Sequence, residues 1–194
     1  VVLWQRTNAM KKSILLSLSL LLFQFSFAQK KNAVEAPPEL PIDNVTHLIT
    51  YDGVIEVKGV SAHELYQRMQ QWFRSYYKNP KEVIREEDSV ANRMTGKPRF
   101  RIQQPADKSG LRTDAGLVQY TISIAAKDGR YRYQLSEFNW KQASYYACER
   151  WLDTNSPSWN PAYNEYLRQV DSTVEQVLTS LQEALSTAKG QKGK

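Results

Sequence analysis

Asp128-Gly129 separates two stretches in which apolar and polar residues alternate, and no other pair constrains the chain as strongly. Both central residues of a type I′ turn need positive φ, which Gly adopts freely and Asp tolerates, so the pair specifies a two-residue hairpin loop. Such a loop fixes the register, beginning with Lys127 opposite Arg130. Ala126 then meets Tyr131, Ile124 meets Tyr133 and Ile122 meets Leu135 on one face. Ala125 meets Arg132, Ser123 meets Gln134 and Thr121 meets Ser136 on the other. A slip of one residue would mix the two sets. The sheet therefore has one apolar and one polar face, and helices should cover only the first, in a two-layer α+β arrangement.

The flanking sequence supplies those helices. A first strand is expected from Leu48, with Ile49, Tyr51, Gly53, Ile55 and Val57 on one face and Gly53 marking a bulge or bend. Ser61 and Glu64 have the spacing of a capping box, flanked by Val60 and Leu65 at the staple positions. Leu65, Met69, Trp72, Phe73 and Tyr76 follow at helical spacing, and Asn79-Pro80 ends the helix. Two shorter strands are expected near Glu82–Asp88 and Arg93–Gln103, then a polar loop over 104–116. Asn160-Pro161 opens a last helix of about seven turns, with Tyr163, Leu167, Val170, Val174, Val177, Leu181 and Leu185 forming its stripe. That stripe is expected to pack across the sheet, the alternative being the seam of a homodimer. The expected order is β-α-β-β-β-β-α, with an antiparallel sheet of about five strands.

The ends of the chain differ from its middle. Met10-Lys11-Lys12, an apolar run from Ile14 to Phe27, and small residues at Ser26 and Ala28 make 1–28 a signal peptide with an upstream extension, cleaved after Ala28. The run is shorter than the roughly 20 residues that span a bilayer. Residues 29–46, with Pro37, Pro38 and Pro41, read as a linker, 47–188 as a single domain, and 189–194 as a basic tail. The net charge of +6 lies in these ends: once the cations of 1–28 and of 186–194 are set aside, 20 basic and 20 acidic side chains remain between them. Composition thus gives no reason to expect a nucleic-acid partner. One cysteine, Cys148, permits no internal disulfide and is expected as a buried small residue.

Two stretches resemble a known family. Tyr51-Asp52-Gly53-Val54-Ile55-Glu56-Val57-Lys58-Gly59-Val60-Ser61, followed by Glu64-Leu65-Tyr66 and Trp72-Phe73, is similar to its opening motif. Tyr120 to Ile124, followed by Lys127-Asp128-Gly129-Arg130-Tyr131-Arg132-Tyr133, is similar to its closing one. The family is the domain of unknown function numbered 4468, which has a TATA-binding-protein-like (TBP-like) fold and occurs in exported proteins of Gram-negative bacteria. The resemblance covers roughly 48–138. It implies a fold and a compartment, and no activity.

A search for chemistry finds little. His47 and His63 lack metal-ligand spacing, no nucleophile motif or phosphate loop is present, and Glu86-Glu87-Asp88 reads as a solvated strand end. No catalytic residue, cofactor or metal is expected. Two surfaces remain as candidates. One is the polar sheet face, with Thr121, Ser123, Arg132 and Gln134. The other is the aromatic stretch 139–160, with Trp140, Tyr145, Tyr146, Trp151 and Trp159. It serves either as a stacking platform or as a lid whose rings seal the end of the sheet. The expected role is a non-enzymatic binding module of the cell envelope for a protein, peptide or glycan. The alternative is a carrier holding an apolar ligand among Ile122, Ile124, Tyr133 and Leu181.

Overall fold

A computed structural model describes residues 36–186. The expected signal peptide and basic tail lie outside the described residues. The elements are β1 (Tyr51–Glu56), α1 (Ala62–Tyr76), α2 (Pro80–Val83), β2 (Ile84–Asp88), β3 (Arg93–Gly96), β4 (Arg99–Gln103), β5 (Asp114–Lys127), β6 (Arg130–Lys141), β7 (Tyr145–Ala147), a 3₁₀ turn (Cys148–Leu152) and α3 (Ala162–Ser186). One antiparallel sheet of seven strands runs β1-β6-β5-β3-β2, with β4 also on β5 and β7 also on β6.

The Asp-Gly turn sets the register pair by pair as expected, from Lys127 opposite Arg130 to Thr121 opposite Ser136. Its type is corrected: Gly129 has a positive φ of 74° but Asp128 does not, so the loop is not the expected type I′ turn, and one left-handed residue is enough to close it. It has a second role. Asp128 Oδ1 accepts from the Ala62 amide at 2.7 Å, and the Gly129 amide donates to the Val60 carbonyl at 2.9 Å. The hairpin tip thus satisfies one amide donor that the start of α1 leaves open and gives one of its own amides to the carbonyl of Val60 just before the helix. Ser61 caps the same helix by accepting from the Glu64 amide. The return half of the expected capping box is not made, because the Glu64 carboxylate reaches forward to Arg68 at 2.7 Å.

Three expectations about the strands are corrected. Gly53 is not at a bulge: β1 runs opposite β6 without a register shift, and Gly53 faces Tyr133. A Cβ there would lie 2.7 Å from the Tyr133 hydroxyl, so the glycine makes room for that ring. Residues 82 and 83 are helical, since Asn79-Pro80 starts the short α2. The expected strand over 93–103 is interrupted at Lys97-Pro98 although its register is unbroken, with Gly96 opposite Ile122 and Arg99 opposite Gln119. Pro98 has no N–H to give the ladder, and the Lys97 amide donates instead to Val83 in α2 at 2.8 Å. This division, with β7, raises the strand count from about five to seven.

Both long helices lie on the apolar face. Ile122, Ile124, Leu135, Phe73, Met69, Leu167, Val170, Val174, Leu181 and Leu185 have no exposed surface. Each such side chain contributes about 1.5–3 kcal/mol through burial. The α3 stripe is therefore buried in the chain's own core. Asn160 caps α3 by accepting from the Ala162 amide at 2.9 Å. Its far end is held by Arg68, buried in α1, which donates to the Leu185 carbonyl. Before the first strand, Leu40 packs on the core and Ile42 bridges Ile49.

Candidate functional site

The candidate aromatic residues are positioned by a bulge in β6. Between Leu135 and Phe138 the alternation slips by one, and the ladder to β5 shifts between Gln119 and Thr121. Glu137 occupies the extra position with φ +56°. This left-handed conformation costs an ordinary residue about 1–2 kcal/mol. The slip turns Phe138 inward, where it is fully buried, and places Trp140 on the same side. The Glu137 carboxylate is thereby left on the free face, where it accepts from the Thr121 hydroxyl at 2.6 Å and from Lys97 at 3.4 Å. The Thr121 hydrogen bond, aided by the Lys97 charge, holds the carboxyl below its ordinary range.

Beyond the bulge, Trp140, Trp151, Tyr163 and Tyr166 form a ring cluster at one end of the sheet. Trp151 is buried, lies edge-on to Trp140 at 5.5 Å between centroids, and stacks on Tyr163 at 5.7 Å. The indole N–H groups point inward: Trp140 donates to the Ala115 carbonyl at 2.8 Å and Trp159 to the Trp151 carbonyl at 2.9 Å. The rings therefore do seal the end of the sheet against α3. They also leave a cleft of about 720 Å³ lined by Trp140, Tyr146, Trp151, Trp159 and Tyr163, with Glu149, Arg150, Asp153 and two serines among its polar groups. The Arg150 guanidinium stands 5.4 Å from the centre of the Tyr146 ring. Glu149 ties the cleft to the segment just before β1, its Oε1 accepting from the Ile49 amide at 2.8 Å. Its Oε2 is buried without a hydrogen-bond partner in the described chain. Cys148, next to it, is fully buried, and burial pushes its thiol up, so it stays protonated and unreactive at neutral pH.

The candidate residues fall into two groups that do not meet. Trp140, Tyr146 and Trp151 converge on the cleft. Tyr145, their neighbour in β7, instead pairs with Lys141, whose ammonium lies 5.8 Å from its ring centre. Thr121, Ser123, Arg132 and Gln134 lie on the uncovered sheet face. Charges there are paired: Arg132 with Asp52 at 3.1 Å and Arg93 with Glu86 at 2.8 Å. Of the cleft residues, sequence reasoning missed Glu149, Arg150, Asp153 and Tyr163, and on the sheet face it missed Glu137. The signal for Glu137 was present, since the apolar series Tyr131, Tyr133, Leu135 resumes at Phe138 and Trp140, one residue out of phase. No His, Cys, Asp and Glu grouping suited to a metal occurs among the described residues. None of their helices is long and apolar enough to cross a membrane.

With this geometry in hand, known proteins give the family. Residues 51–141 match the family described as a domain of unknown function (DUF4468) with TBP-like fold. This stretch is a DUF4468 domain. A DUF4468 family protein from Bacteroides ovatus superposes with a TM-score of 0.61 at 15% identity, over 77% of this chain and 93% of that one. A TBP-like protein from Parabacteroides distasonis gives 0.59 at 15% identity, over 77% and 99%. At that identity the likeness establishes the shared fold. No functionally curated protein matches the chain. The DUF4468 match ends at Lys141, so β7, the 3₁₀ turn and α3 lie outside the matched residues, and the cleft forms where they meet β6.

Proposed function

We propose that this chain is a non-enzymatic binding module of the cell envelope, exported by its first 28 residues, that holds a glycan in the aromatic cleft. The observation that carries the reading is the convergence of three Trp and two Tyr on an open cleft rimmed by hydrogen-bonding side chains. The indole N–H groups of Trp140 and Trp159 are committed to backbone carbonyls, so what these two rings offer a ligand is apolar surface. Sugars match such a site, since their C–H faces stack on rings while their hydroxyls meet carboxylates, guanidinium and serines. The volume lies within the roughly 300–1,000 Å³ usual for small-ligand sites.

The purified protein would be screened on a glycan array and titrated by tryptophan fluorescence with each hit. Saturable binding that Tyr146→Ala weakens without changing the unfolding midpoint is the expected result. Peptide ligands alone, no ligand at all, or a Tyr146→Ala protein that binds unchanged would refute the reading. Export is tested separately by N-terminal sequencing of the native protein: a mature chain starting at Gln29 supports it, and an unprocessed cytosolic chain overturns it.

A further inference from the structure

A second cleft lies at the β3–β4 interruption and involves none of the aromatic residues above. Although acids and bases balance over 29–185, four cations, Lys78, Arg85, Lys97 and Arg99, line this one cavity of about 460 Å³. Its only acidic lining residue is Glu82. The fold assembles the cluster from segments distant in sequence. The hydrogen bond from the Lys97 amide to Val83 clamps α2 across the end of β3, bringing Lys78 and Arg85, which flank α2, to the strand. Lys97 and Arg99 bracket the buried Pro98 and project to one side by strand alternation.

The acids present do not neutralise the group. Glu82 takes Arg99 at 3.1 Å and Glu137 takes Lys97 at 3.4 Å. Lys78 and Arg85 have no acidic partner among the described residues, and the Arg85 guanidinium reaches only the neighbouring Ile84 carbonyl at 3.4 Å. Two guanidinium forks and two ammonium groups around a concave site complement a compact dianion with several acceptor oxygens. The neutral side chains of Asn79 and Gln119 add further hydrogen-bonding groups.

We propose that this cleft binds a phosphate group carried by a small molecule or a lipid headgroup. The test titrates the purified protein calorimetrically with inorganic pyrophosphate and glucose 6-phosphate. In a second arm it measures co-sedimentation with phosphatidylcholine vesicles, with and without phosphatidate. Saturable binding that weakens between about 50 and about 300 mM salt is expected, as ions screen exposed charges. The double variant Lys78→Gln/Arg85→Gln should lose about tenfold or more, while Lys81→Gln, an exposed charge on α2 outside the cleft, should stay within about twofold. Binding in solution assigns a soluble phosphate ester, and binding only to phosphatidate vesicles assigns a headgroup. No binding in either arm, or equal losses in Lys81→Gln, overturns the proposal. Tyr146→Ala should leave this binding unchanged, which separates it from the aromatic cleft.

Discussion

Gly116→Ala should damage the aromatic cleft from a position outside it. Gly116 has φ +107°, well beyond the left-handed region that L-residues tolerate. Its Cβ would lie 2.9 Å from Gln142 Nε2, 3.1 Å from Trp140 Nε1 and 3.1 Å from the Lys141 carbonyl. The Gln142 amide can swing away. The Lys141 carbonyl is backbone, and the Trp140 indole is held by its hydrogen bond to Ala115. Backbone strain contributes about 1–3 kcal/mol. Crowding adds about 1–3 kcal/mol, and the lower entropy of the unfolded chain returns about 0.4–1 kcal/mol. Taking the middle of each range, the net is a destabilisation of about 3 kcal/mol, or a fall of roughly 6–12 °C in Tm at 2–4 °C per kcal/mol. Gly110→Ala is the internal standard: φ is +85° there, and nothing lies within 4 Å of the new Cβ, so it isolates the backbone cost. Urea unfolding of both variants, followed by tryptophan fluorescence, measures the difference. Gly116→Ala should exceed Gly110→Ala by about 1 kcal/mol or more, and its native emission should shift as Trp140 moves. Equal costs for the two variants, with native emission unchanged, would refute the claim that close packing behind Trp140 fixes the wall of the cleft.

Three further outcomes follow from the same geometry. Arg68→Ala leaves the Leu185 carbonyl without its buried donor, and a loss of about 2–4 kcal/mol is expected by urea unfolding, with early exchange of the last-turn amides of α3. Asp128→Ala removes the acceptor for the Ala62 amide while keeping Gly129, and should cost about 0.5–2 kcal/mol without altering the hairpin register seen in nuclear Overhauser contacts. The lowered carboxyl of Glu137 stabilises the fold above its ordinary value of 4.5, and that contribution is lost as pH falls through the depressed folded value. Wild type and Glu137→Gln should therefore differ at neutral pH and converge in acid. The gap should stay below about 1 kcal/mol, because the side chain is half exposed.

Local rules foresaw what local chemistry determines. The Asp-Gly turn admits one register, and α3 has a cap and an unbroken stripe, so both were legible residue by residue. Elsewhere a tertiary contact outweighed the local signal. Glu64 had the spacing to close a capping box but pairs with the buried Arg68 instead, because an unpaired buried guanidinium would be the costlier outcome. Gly53 carried a bulge signal, yet what it accommodates is a ring from the neighbouring strand, invisible until β1 is known to pair with β6. The candidate surfaces divide in the same way. The aromatic richness of 139–160 was plain in the sequence. The depth of the cleft was not, because Tyr163 joins it from α3 and Glu149 is held by the amide of Ile49.

The TBP-like sheet invites a reading in which the uncovered face is the working surface, as in proteins that press such a face into the minor groove of DNA. That mode of binding needs apolar wedges to unstack bases. On this face the large exposed apolar residue is Val54, and around it Asp52, Arg132, Arg93 and Glu86 are engaged with one another. A partner docking there would have to displace pairs that are each worth less than about 1 kcal/mol in solvent, so the pairs alone do not forbid it. They do mean that a charged ligand would gain little, since each new contact replaces an existing one. The two clefts present the opposite balance. In one, Lys78 and Arg85 lack acidic partners, and in the other, Tyr146 is exposed while the half-buried Trp140 and Trp159 have their indole N–H groups already satisfied. Contacts made by Lys78 and Arg85 or by the free ring surfaces add to those the fold already has, and this is the physical reason to seek the ligands of this chain in its two clefts.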